Sequence, residues 1–114
     1  MRDKINDGAR IELMLESIRN IEEFLADTHQ CEEFTANKVL CHAVIYNLQC
    51  IGESVYMLSK SFRGNHPEID WDAIEGLRHV LVHDYYQVDM ETVWGIIMND
   101  LSPLKVFLLR HTSM

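Results

Sequence analysis

The chain has 114 residues, 47% of them hydrophobic, and a formal net charge of -8 at neutral pH. That size and apolar content suit a single domain, residues 1–114, whose core needs no disulfide or metal staple, and the absence of any biased tract excludes a long disordered segment or linker. The acidic balance excludes a generic affinity for nucleic acid, which rests on Lys and Arg neutralising phosphates, so any RNA contact is expected to be local.

Nothing near the N-terminus has the apolar centre of a signal peptide, and no apolar run approaches the roughly 20 residues that span a bilayer. Cys31, Cys41 and Cys50 are odd in number and form no C-x-x-C pair, and they read as buried thiols of a reduced protein. A soluble cytoplasmic protein without a membrane partner is the expectation.

Apolar residues recur at helical spacing along the whole chain and nowhere alternate with period two, so the fold class is all-α. The first helix is expected from about Asp7 to Asp27, with Ile11, Leu15, Ile18, Ile21 and Leu25 on one stripe. The second is expected to begin at Thr35 as N-cap, with Phe34 and Val39 as a hydrophobic staple, and to run to about Phe62. Its main stripe is Val44, Leu48, Ile51, Val55, Leu58 and Phe62. A second stripe, Tyr46, Cys50, Glu53 and Met57, lies opposite, which places this helix at the centre of the bundle or at a subunit interface.

The stretch RGNHP (63–67) carries helix-stopping residues and is expected to be the only long loop. Asp70 then caps a third helix, with Ile69 and Ile74 in staple positions, and Asp89 caps a fourth, with Val88 and Val93 in the same relation. That last helix runs from about Met90 to Arg110, and Pro103 either kinks it or, with Ser102 as a new cap, splits off a fifth. The expected architecture is an up-down bundle of four to five helices.

The third helix carries the chemistry. Ile74, Leu77, Leu81 and Tyr85 make its core stripe, with Arg78 at the stripe's edge and His79 and His83 paired at i, i+4 on the far side. Arg78 and His83 lie about 140 degrees apart on an ideal helical wheel, so they share one groove only if the arginine reaches round or a second subunit completes the site. His79 and His83 with Asp84 nearby are a minor reading as a zinc site, for there is no H-E-x-x-H glutamate and no third ligand at a telling distance. Glu53 is either a rim charge or a buried carboxylate, and Asn47 sits similarly beside the core seam.

RHVLVH (78–83) matches R-x4-H and resembles the signature of HEPN-domain ribonucleases, extended to R-x4-H-x-Y by Tyr85. The run AVIYNLQCIGE (43–53) is similar to the second helix of the HepT-like toxins, and PEIDW (67–71), GLR (76–78), LVH (81–83) and VWGII (93–97) resemble that family's later helices. Tyr46 departs from the family, many of whose members carry an arginine there. The resemblance implies a homodimer, or a higher assembly of it, with two R-x4-H motifs facing one cleft that cuts RNA without metal or other cofactor. Arg78 and His83 would be catalytic, with His79, Asn47 and Glu53 as supporting candidates. It further implies a partner, a minimal nucleotidyltransferase antitoxin that adds AMP to the motif tyrosine, here Tyr85.

The residue types suit that chemistry. A histidine takes or gives a proton near neutral pH, and an arginine offers a planar fork of donors to phosphate oxygens as charge builds on them. The alternative is a non-catalytic helical dimer that binds or regulates the nucleotidyltransferase.

Overall fold

The computed structural model describes the backbone of residues 2–84 and 87–112 and the side chains of residues 7–84 and 87–112. Tyr85 therefore lies outside the described residues. Six helices are described: α1 (Arg2–Phe24), α2 (Cys31–Ala36), α3 (Lys38–Met57), α4 (Lys60–Asn65), α5 (Trp71–His83) and α6 (Met90–Leu109). There is no strand among the described residues. The all-α bundle expected from periodicity is present, four long helices with two short ones set at their corners.

α3 is central. It packs antiparallel against α1 on one side and α5 on the other, while α6 leans on α1. All five residues of the predicted α1 stripe are buried, as are all six of the main stripe that starts at Val44. Burying each of these side chains contributes roughly 1.5–3 kcal/mol, so the two stripes supply much of what holds the bundle together.

Two expected boundaries fail. The second long helix does not start at a Thr35 cap: Asn37 Oδ1 accepts from the Leu40 amide at 3.0 Å, and Val39 is 80% exposed and staples nothing. Phe34 belongs to the separate helix α2, where Glu33 Oε1 accepts from the Gln30 amide at 3.0 Å and the Phe34 ring packs 5.5 Å from Trp94 of α6. Nor does α3 reach Phe62. Leu58 is extended, and Ser59 opens α4 by accepting from the Phe62 amide. The Asp7 carboxylate, brought from α1, accepts from the Ser59 amide at 2.8 Å and its hydroxyl at 2.6 Å. The break costs no burial, because Leu58 and Phe62 stay in the core. α4 also occupies the first part of the stretch expected to be a loop. Arg63 ties it to α5 with 2.8 Å contacts to both Asp72 and Glu75.

The other boundaries stand. Asp70 accepts from the Ala73 amide and Asp89 from the Glu91 amide, each at 3.1 Å, so α5 and α6 begin where their caps predict. α6 continues through Pro103 as one helix. Asn99, Ser102 and Pro103 all face solvent, so the carbonyl that the proline cannot bond is open to hydration. α6 is long and apolar enough in composition to cross a membrane. Its residues Val93, Ile97, Leu101, Leu104, Phe107 and Leu108 are instead committed to the core, which marks it as a bundle helix.

Candidate functional site

Arg78 is placed by an absence of side chain opposite it. α5 comes so close to α3 that a Cβ added at Gly52 would collide with Arg78 Cβ and stand 3.2 Å from its Cα. One turn along, Gln49 Nε2 donates to the Leu81 carbonyl at 3.0 Å, locking the register of the same contact. Glycine is otherwise unfavourable in a helix interior, so its use here reflects the need for backbone proximity.

From that anchor the guanidinium reaches back to α3. Arg78 Nη2 lies 2.9 Å from Glu53 Oε1, and the guanidinium carbon sits 5.8 Å from the Tyr56 ring centre. Glu53 is thus a rim carboxylate with a partner, its side chain 46% exposed, and the question left open by sequence is decided for the exposed alternative. Asn47 is buried: its Nδ2 donates to the Ala43 carbonyl at 2.8 Å, and its Oδ1 accepts from Asn20 Nδ2 at 3.1 Å. It bolts α1 to α3.

Arg78, Glu53 and Asn47 line one groove of about 450 Å³ among α1, α3 and α5. Arg10, Glu16, Ser17, Asn20 and Ser54 also line it, and none of these was singled out as a site residue by the sequence. The signal was present as polar residues interrupting apolar stripes, but only the packing shows that they meet. The second stripe of α3, from Tyr46 to Glu53, runs along this groove. Tyr46 is raised above the usual phenol range, first by its hydrogen bond to the Cys50 thiol.

His83 does not line that groove; its neighbour Val82 does. His83 is exposed in the last turn of α5, and its ring lies 4.6 Å from that of His79. The chain therefore brings Arg78 together with Glu53 and Asn47 but holds His83 and His79 on another side. No cluster of three or more metal-binding side chains occurs among the described residues. Cys31 and Cys50 are half-buried rather than buried, which corrects the expectation for two of the three thiols, while Cys41 is buried and donates to the Phe34 carbonyl.

A larger cavity of about 580 Å³ lies between α3, α5 and α6. Its walls include Ile74, Leu77 and Leu101, and its charged residues, Glu68, Asp70 and Asp100, are all acidic. Without a cation it is unsuited to phosphate, so the smaller groove beside Arg78 is the candidate site.

A helical bundle that presents an arginine and, five residues on, an exposed histidine from one helix is the class this fold and site define. Residues 14–110 match the family described as ribonuclease HepT-like, and the chain belongs to that family. It is 35% identical over 92 residues to "Putative RNase MJ1380" of Methanocaldococcus jannaschii, covering 81% of this chain and 84% of that protein. It is also 35% identical over 96 residues to "Probable ribonuclease HepT" of Thermococcus cleftensis, covering 83% and 86%. A third relative, "Gamma-glutamylcyclotransferase and putative RNase MJ0434" of M. jannaschii, is 33% identical over 97 residues, which are 85% of this chain but 43% of that longer protein. No solved structure matches the chain significantly.

Proposed function

We propose that the protein is a metal-independent endoribonuclease that acts inside the cell as a homodimer, with Arg78 and His83 from both protomers lining one cleft. The observation that carries this is the placement of Arg78, wedged against Gly52 and directed into an open groove. Family membership supplies the reaction class. In that groove Arg10 and Arg78 balance Glu16 and Glu53, so it is locally neutral and repels an anionic ligand less than the net charge of -8 would suggest.

In the reaction, the RNA 2'-oxygen attacks the adjacent phosphorus and the bond to the 5'-oxygen breaks, leaving a 2',3'-cyclic phosphate and a 5'-hydroxyl. One His83 takes the 2'-hydroxyl proton and the His83 of the second protomer returns a proton to the leaving oxygen. Arg78 holds the non-bridging oxygens, where negative charge accumulates. Because one protomer keeps His83 away from its own Arg78 groove, the second copy is needed to complete the site.

The protein is further proposed to be the toxin of a toxin-antitoxin pair, silenced when a partner nucleotidyltransferase attaches a nucleotide to Tyr85. Added phosphate two residues beyond His83 would place negative charge and bulk where substrate must pass. The separation of Arg78 from His83 in one chain also favours a second reading, a non-catalytic dimer that binds the nucleotidyltransferase.

Cleavage of an RNA oligonucleotide by purified protein, compared with His83→Ala and Arg78→Ala, tests the first against the second. Each substitution is expected to lower the rate by about 10²–10⁴. Cleavage that survives both, or a protein that is monomeric under assay conditions, overturns the nuclease.

A further inference from the structure

We infer that the groove among α1, α3 and α5 is a nucleoside-binding subsite that holds the sugar and base attached to the phosphate on Arg78. The inference rests on the nuclease reading for the phosphate and goes beyond it in assigning the rest of the groove. Its basis is where the polar groups of the core lie. Ser17, Asn47 and Ser54 are the buried polar side chains among the described residues, at 6%, 5% and 3% exposure, and all three line this groove.

Two of them, Ser17 and Ser54, have hydroxyls with no protein partner among the described residues, and no side-chain oxygen there is both fully enclosed and unsatisfied. Both hydroxyls therefore open on the groove. Each serine is thus buried as a residue yet keeps its hydroxyl at the groove wall, available to a polar ligand. The neighbouring amides are half-used in the same direction: Asn20 and Gln49 each donate to a protein acceptor, through Nδ2 and Nε2, and leave their carbonyl oxygens unengaged.

The groove thus offers two hydroxyls that donate or accept, two amide oxygens that accept, and two arginines, Arg10 and Arg78, beside the carboxylates of Glu16 and Glu53. That set matches a nucleoside, whose ribose hydroxyls and base edge carry both donors and acceptors, better than it matches a bare phosphate, which only accepts. Its volume of about 450 Å³ falls within the usual range for small-ligand sites. The exposed Tyr46 ring at the α3 side adds a face on which a base stacks.

Titration of the full-length protein with 3'-nucleoside monophosphates, free nucleosides and inorganic phosphate, followed by NMR shifts of the groove residues, tests the assignment. Nucleotides are expected to bind at least about tenfold more tightly than phosphate, a difference of one decade in Kd. The Ser17→Ala/Ser54→Ala double variant should remove most of that advantage and leave phosphate binding as it was, with helicity unchanged. Arg78→Gln should weaken both ligands. Nucleotides that bind no better than phosphate, or a folded double variant that binds them normally, overturn the subsite. A groove covered by a second copy gives the same null titration, together with dimer loss in Ser54→Arg, and also overturns it. Nucleotide binding without RNA cleavage sinks the nuclease alone, and cleavage without nucleotide preference sinks the subsite alone.

Discussion

Gly52 and Arg78 face one another across the α3–α5 contact at a separation that no side chain at position 52 permits. The glycine sets how near α5 lies to α3, and so where the guanidinium begins its reach toward Glu53. Replacing glycine by alanine inside a helix ordinarily stabilises by about 0.5–1 kcal/mol. Here Gly52→Ala is expected to do the opposite and to destabilise by about 1–3 kcal/mol, the usual cost of overpacking a core. Urea midpoints check the sign, and an unchanged or raised midpoint would show that α5 moves freely.

In the proposed nuclease, Glu53 and an RNA phosphate would compete for the same guanidinium. The pair is half-exposed, with side chains 31% and 46% accessible, so removing its charge should alter stability by no more than about 1 kcal/mol. Glu53→Gln is expected to raise RNA affinity about threefold at low salt, with the gain fading as salt screens the groove. Weaker RNA binding at low salt would mean that Glu53 orients Arg78 instead of competing for it.

The corner between α3 and α4 depends on Asp7, fifty-two residues from Ser59 in sequence. Asp7→Ala leaves the Ser59 amide and hydroxyl without their acceptor and is expected to cost about 1–2 kcal/mol. Amide exchange should quicken in α4 more than in α3. Equal quickening throughout would point to global rather than local loosening.

Burial pushes the Cys41 thiol above its ordinary pKa of 9.0. The folded state therefore favours the neutral thiol, and this contribution is whole below about pH 9 and lost as pH climbs through the higher folded value. Stability should fall on the alkaline side, and Cys41→Ala should flatten part of that fall. A thiol reagent at neutral pH should modify Cys41 only as fast as the protein unfolds, in contrast to the half-buried Cys31 and Cys50.

Tyr85→Phe removes the hydroxyl proposed to receive the nucleotide. With the partner nucleotidyltransferase co-expressed, this variant is expected to continue arresting growth while the unaltered protein is silenced. Silencing of both would place the modification elsewhere.

Much of the fold was legible because its determinants are local. The Asp70 and Asp89 caps act within one turn of themselves, and the stripes on α1 and α3 repeat with the helix period, so both follow from residue order. The misplaced boundaries have causes that residue order hides. Thr35 and Asn37 are both plausible caps, and the choice depends on Phe34 turning inward to meet Trp94 on α6. The seam through Leu58 and Phe62 looks continuous in sequence and stays buried across a real break, because Asp7 arrives from another helix to satisfy Ser59.

The sequence by itself determined an all-helical chain, the helix that carries Arg78 and His83, and the family to which both belong. Only the tertiary structure decided that Arg78 is held against Gly52 and paired with Glu53, that His83 lies outside the groove Arg78 lines, and that Ser17 and Ser54 open on the same groove. The physical reason is range. Caps and periodicity are written over a few residues, whereas a groove exists only once helices distant in sequence have chosen which faces to press together.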